Sequence, residues 1–206
     1  MKQKHFISNK DERARIFKSD FIEALSKTHW TIPLWFFGPI IGYFLYLTFD
    51  YGVSFFTSVL LFLIGLFVWT FAEYFMHRVV FHYQPKSRFG KWLHWVMHGV
   101  HHDYPQDSKR LVLPPGMSLP LAAMIYLLFY SFIPLPELFP YFSGFLVGYL
   151  IYDIGHYAMH HFSFKNNFFK KVKLHHMKHH YVEPNAGYGV SSPLWDIIFR
   201  TQGKAK

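Results

Sequence analysis

Residues 30–76, WTIPLWFFGPIIGYFLYLTFDYGVSFFTSVLLFLIGLFVWTFAEYFM, contain no lysine or arginine. At ~20 residues per helix, the stretch can cross a ~30 Å hydrocarbon core twice. It breaks at Asp50, Tyr51 and Gly52, which suit a tight turn. The expected spans are therefore residues 30–49 and 53–76. Further along, residues 111–160 are also free of lysine and arginine. They predict a second hairpin, with spans at about 117–133 and 138–159 and a break at Pro134, Pro136 and Pro140. All 21 basic residues lie in 1–29, 77–110 and 161–206, while the two short connections carry only Asp50 and Glu137. The positive-inside rule then places both termini, and the loop between the hairpins, in the cytoplasm. The fold class expected is all-α: an integral membrane protein with four transmembrane helices in two hairpins under a cytoplasmic, histidine-rich helical cap. Residues 1–29 form a cytoplasmic N-terminal segment and residues 30–206 a membrane-embedded domain.

Composition supports a membrane as the solvent. The 206 residues are 51% hydrophobic and 22% aromatic, more than a soluble domain of that size needs. Buried helices of a soluble protein would leave the one-sided charge unexplained. With no cysteine, disulfides and thiolate metal sites are excluded. The net charge of +9 does not form a basic stripe interleaved with stacking aromatics, which argues against nucleic acid as a partner. The residues before Trp30 are charged and polar, unlike a cleaved signal peptide. Among them, Asp11–Lys27 places Ile16, Phe17, Phe21, Ile22 and Leu25 at the spacing of an amphipathic helix lying on the membrane. A soluble tail helix fits the same spacing.

The 15 histidines form a repeat. HRVVFH (77–82) precedes HGVHH (98–102), and HYAMH (156–160) precedes HHMKHH (175–180). Each half supplies a set: His77, His82, His98, His101 and His102, then His156, His160, His176, His179 and His180. In a helix, HxxHH turns three imidazoles toward one side, and His156 with His160 turns two. His77 and His82, five apart, fit a regular helix less well and are expected to straddle its end. Neutral imidazole is a common ligand for zinc, copper, iron and nickel. Ten such ligands exceed what one ion accepts, so two metal ions are expected where the helices meet the cytoplasmic loops. A lone histidine in an apolar setting is more often structural; a repeated cluster is not. His94, His161 and His175 sit beside the pattern as supporting neighbours, and His5 and His29 lie outside it.

Tyr149, Tyr152, Asp153, His156 and His160 share one helical stripe. An ionisable group within a span is costly to bury and points to function. Asp153 is expected either to orient a metal-binding histidine or, with the two tyrosines, to hold a polar substrate end. Glu73, one turn before His77, has the same orienting option or a structural one inside the bundle.

FKSDFIEALSKT (17–28), EYFMHRVVFH (73–82), HGVHHDYPQDSKRLVLPP (98–115), GYLIYDIGHYAMH (148–160) and LHHMKHHYVEPNAGYGVSSPLWDIIFRT (174–201) together resemble the fatty acid hydroxylase and sterol desaturase superfamily, and within it the fatty acid 2-hydroxylases. The likeness runs from about Ile16 to Thr201. It implies oxygen-dependent hydroxylation at C2 of a fatty acyl chain, with two metal ions on the ten histidines. Iron is expected for activity, and zinc can occupy the same nitrogen-rich site. It also implies catalytic roles for Asp153 and Tyr152, and substrate contacts from Tyr149, Tyr152, Asp153 and Arg110. A free acid, a thioester and the N-acyl chain of a ceramide all remain open as the form of the substrate, and the resemblance leans toward sphingolipids. Many eukaryotic relatives carry an N-terminal cytochrome b5 domain with an HPGG motif, which is absent here. Electrons are then expected from a separate carrier, such as a cytochrome b5 or a ferredoxin-type protein. The expected membrane is the endoplasmic reticulum in a eukaryote or the inner membrane in a bacterium. The rival readings are a sterol desaturase or carotenoid hydroxylase with the same metal site, and a membrane metal transporter.

Overall fold

The computed structural model describes residues 5–203; residues 1–4 and 204–206, the outer ends of the N-terminal segment and of the membrane domain, lie outside the described residues. Near the N-terminus a short helix, α1 (Asp20–Ser26), precedes the first hairpin, which joins α2 (Ile32–Asp50) to α3 (Phe55–Phe75). Gly52 takes φ +70°, a left-handed backbone that favours glycine. The Val53 amide donates to Thr48 O at 3.1 Å, and Ser54 Oγ accepts from the Thr57 amide at 3.2 Å to cap α3. A π-helical turn, Met76–Phe81, continues α3.

After it come α4 (Arg88–His94), a second π turn at Trp95–Gly99, and α5 (Val100–Asp103). The second hairpin is unequal. α6 (Pro115–Tyr130) has only 16 residues. At 1.5 Å per residue it reaches about 24 Å, short of a ~30 Å core. The expected span at 117–133 is thus shorter than its composition suggests, because Pro114 and Pro115 set its start and the Ser131–Pro134 turn ends it. α7 (Leu138–His161) is long and apolar enough to cross a membrane, as are α2 and α3 with its π turn. The chain ends with α8 (Asn167–Tyr181) and α9 (Leu194–Ile198). Among the described residues there is no strand.

α7 is the core helix. In its most apolar window 67% of residues are buried, against 17% in α2 and 11% in α3. The outer faces of α2 and α3 carry Trp35 and Phe56, 75% and 85% exposed, as lipid-facing side chains do. α3 packs closely on α7 through glycines. A Cβ on Gly144 would lie 1.9 Å from Phe62 O, and one on Gly65 1.9 Å from Tyr141 O. Only glycine permits this approach.

The expected amphipathic helix over Asp11–Lys27 forms only as α1. Upstream of it the amides are taken by side chains instead. Ala14 N–H donates to Asp107 at 2.6 Å, and Ile16 and Phe17 N–H both donate to Glu23 Oε2 at 3.0 Å. Asp11 accepts from the Ser108 amide and hydroxyl. Arg110, 2% exposed at its side chain, donates to Ala14 O, Ser26 and Glu23. The segment is therefore a strap tied to the 107–110 loop. Burial pushes the Glu23 carboxyl up, but hydrogen bonds from Phe17, Lys27 and Ile16 and the Arg110 charge outweigh it and hold the pKa at about 2.

Gly144→Ala should destabilise the bundle by more than the ~1–3 kcal/mol of an overpacked core, read as a lower melting temperature in detergent, because backbone rather than side chain must move. For the strap, a folded-state pKa below the ordinary 4.5 means Glu23 contributes stability above pH 4.5 and loses it as pH falls toward 2. Trypsin cleavage at Arg13 and Arg15 should thus be slow at neutral pH. Glu23→Gln, which breaks a buried ion pair, should speed it roughly tenfold or more; unchanged cleavage would mean that apolar contacts alone hold the strap.

Candidate metal centre

Four helical pieces bring the histidines together. His77 lies in the first π turn and His82 caps its end, where the His82 amide donates to His77 O at 3.1 Å. The pair thus straddles the end of the helix as expected, and the i→i+5 winding still turns both rings to one side. The second π turn carries His98 and leads into α5 with His101 and His102. α7 supplies His156 and His160, and α8 supplies His176, His179 and His180.

The ten side chains form two groups, each with ligand atoms within 4.8 Å of one another: His77, His82, His98, His102 and His179, and His101, His156, His160, His176 and His180. The groups do not follow the sequence halves. His101 joins the second-half histidines and His179 joins the first-half ones. Helix geometry gives the reason. Residues four apart, His98 with His102 and His176 with His180, stay on one stripe, whereas neighbours diverge by about 100°. His101 and His102 therefore face different centres, as do His179 and His180.

The nitrogens converge. Nε2 to Nε2 distances are 3.1 Å for His77–His98, 2.9 Å for His98–His102, 2.9 Å for His101–His180 and 3.0 Å for His160–His176. Burial first, and neighbouring imidazoles second, hold His98, His101, His102, His176 and His180 well below the usual histidine range. Burial lowers His82 to about 3 and His179 to about 4. Each of these rings is then neutral near pH 7 and offers a lone pair. His82 Nε2 in the first group and one nitrogen of His156 in the second are buried without a partner, the other nitrogen of His156 lying against the Leu111 backbone. Lone pairs crowded around two points, with unmatched buried nitrogens, suit a metal ion at each point and suit hydrogen bonding poorly.

A cavity of about 310 Å³ leads away from this centre. Its buried lining includes His98, His101 and His156, its walls residues such as Trp69, Leu121 and Ile125, and its exposed rim Ile22 and Leu25 of the strap, with Ile16 and Phe17 also lining it. Tyr149, Tyr152, Asp153 and Arg110 also line it. Asp153 accepts from Tyr149 OH at 3.0 Å and from the Leu113 amide at 3.3 Å, and so reaches no histidine. Tyr152 stacks on His156 at 5.8 Å. Arg110, expected at the substrate's polar end, directs its donors to the strap.

The supports that sequence reading misses lie in the loop after α8. Tyr188 O accepts from His77 Nδ1 at 2.5 Å, and Ala186 O accepts from His179 Nδ1 at 2.8 Å. These are backbone atoms, so no residue type marks them. Glu73 takes its structural option: it accepts from the Val190 and Ser191 amides at 2.7 Å and from Ser191 Oγ at 2.5 Å. His175, one of the expected neighbours, pairs with Asp196 at 3.0 Å.

Comparison with known proteins points the same way. Residues 62–201 match the family model described as fatty acid hydroxylase. The dihydroceramide fatty acyl 2-hydroxylase of Arabidopsis thaliana is 39% identical over 197 residues, covering 92% of this chain and 80% of that protein. The fatty acid 2-hydroxylase of Homo sapiens is 38% identical, and the match covers 91% of this chain but 56% of that one. A solved structure described as full-length scs7p, with only the hydroxylase domain visible, superposes with a TM-score of 0.84 at 36% identity, covering 88% of this chain and 69% of that one. With its buried histidine groups, its apolar helices and these relatives, the chain belongs to the fatty acid hydroxylase family.

Proposed function

We propose that this protein is a membrane hydroxylase acting at C2 of a fatty acyl chain. One observation carries the reading: an apolar cavity ends on both histidine groups and bears Tyr149, Tyr152 and Asp153 in its wall. The ten histidines would hold two metal ions; such ligands suit iron, which supplies the oxygen-activating redox chemistry, and also accept zinc, which supplies none. The apolar wall takes the acyl chain and excludes water from the reacting carbon. Asp153 is fixed by Tyr149 and the Leu113 amide, so it holds a set position for the polar end of the substrate. Tyr152 lies beside His156 in the cavity wall, which suits its hydroxyl to the substrate carbonyl. Arg110 serves the cavity by holding the strap across its mouth.

Names of relatives supply the substrate class. They specify fatty acid, dihydroceramide fatty acyl and ceramide very long chain fatty acid hydroxylation. This chain would act on a fatty acyl chain, free or in a ceramide, with electrons from a separate carrier. Residues 1–29 act as the strap-bearing segment and 30–206 as the membrane domain. α6 is taken as a short fourth span, and the basic segments set the histidine cap and both termini on the cytoplasmic side, at the endoplasmic reticulum or the bacterial inner membrane. A sterol or carotenoid substrate is not favoured by the relatives, and a transporter would string its ligands along a path rather than gather them at one end.

Expression in cells that make no 2-hydroxylated lipids tests the reading by mass spectrometry of hydrolysed lipids. A 2-hydroxy fatty acid should appear with the intact chain and vanish when His179 and His180 are both changed to Ala. Tyr152→Phe should lower the product about tenfold or more, an effect of ~1.4 kcal/mol, with metal content unchanged. If metal-loaded protein with a working electron donor yields no such product, C2 hydroxylation is wrong.

A further inference from the structure

The two histidine groups are supported differently. In the first, His77 and His179 each donate Nδ1–H to a backbone carbonyl, Tyr188 O and Ala186 O. A carbonyl only accepts, so each ring keeps its proton on Nδ1 and turns the Nε2 lone pair inward. In the second group, the Nδ1 atoms of His101, His160, His176 and His180 are buried with no partner among the described residues. In that group only His156 has a backbone contact, to Leu111, and no support of this kind fixes the other four rings.

Both carbonyls of the first group belong to one loop, and buried acids hold that loop. Asp196, 0% exposed, accepts from the Tyr188 amide at 3.0 Å, the Gly189 amide at 2.7 Å, Thr201 Oγ1 at 2.7 Å and His175 Nε2 at 3.0 Å. Glu73 holds the next two residues, Val190 and Ser191, by their amides. Gly187, between Ala186 and Tyr188, takes φ +73° and so lets the chain turn between the two carbonyls. A Cβ at Gly189 would lie 2.1 Å from Ser192 O, which shows how tightly the loop is wound on Asp196.

From this difference the geometry points to two unequal metal sites: the first group binds its ion tightly because Asp196 positions the loop that orients His77 and His179, and the second group binds its ion more weakly. Asp196 is a positioning residue, since it touches neither group's ligand atoms directly. The inference rests on the two-metal reading of the histidine groups. Loss of an outer support of a histidine ligand typically weakens metal binding about 10–100-fold, which sets the scale of the expected gap.

The test uses the full-length protein in detergent, loaded with zinc(II), titrated against chelators of graded affinity. Total zinc is measured by elemental analysis and released zinc by a fluorescent indicator. Two ions per chain should leave in two steps about tenfold or more apart. His160→Ala should remove the weaker step, and His82→Ala the tighter one. Asp196→Asn should move the tighter step by about 10–100-fold and leave the weaker one in place. Thr201→Val, which removes one bond to Asp196 and one to Tyr74 OH, should move the same step less and covers the case in which Asp196→Asn does not fold. Release of both ions in one step overturns the inference, as does an equal shift of both steps by either variant. Fewer than two ions per intact chain overturns the two-metal reading itself.

Discussion

Ten imidazoles must be packed out of water with their nitrogens crowded around two points. A buried polar group without a partner is unfavourable by roughly 1–3 kcal/mol, and here several stand together. The protein around them is arranged to keep the rings neutral and aimed. α3 gives up regular helical winding at Met76–Phe81, and the segment before α5 does so at Trp95–Gly99, so that His77, His82 and His98 reach the centre. π turns of this kind introduce one extra residue per turn and recur at functional sites.

α7 anchors that arrangement to the apolar bundle. Its N-terminal half is packed on α2 and α3, with glycines at the closest crossing, and its C-terminal half carries Tyr149, Tyr152, Asp153, His156 and His160. The same rigid rod therefore fixes the cavity wall and two of the histidines. Two chain segments close the structure around it. The strap before α2 covers the cavity mouth through Arg110 and Glu23, and the loop after α8 grips the first histidine group through Asp196 and Glu73. Each is held by a buried carboxylate that accepts backbone amides, a strong and directional contact.

Much of the site is legible in the order of residues. The histidine repeat names all ten members of the two groups, because metal binding needs one residue type at helical spacing, and both properties are local to the chain. The stripe from Tyr149 to Asp153 is legible for the same reason, since α7 is a regular helix. The strap is not. Its apolar spacing suits one long helix, but Glu23 and Asp107 capture the amides that a helix would have used. Arg110 is equally hard to read, because a cation beside a polar stripe suggests a substrate contact, whereas its partners Ala14, Ser26 and Glu23 lie more than eighty positions away in the chain.

Residue order is enough to set the apolar helices, the side chains that gather at their ends and the kind of chemistry those side chains support. Apolar length and ligand identity are local properties, so they need no knowledge of how the chain folds back on itself. Which histidines share a centre is settled only by folding, with His101 and His179 crossing between halves, because that depends on how helices face one another. Folding likewise braces two rings of one group with the carbonyls of a single loop and leaves four rings of the other without such a partner. Backbone carbonyls are the same in every residue, so only the path of the folded chain can bring Tyr188 O and Ala186 O to His77 and His179.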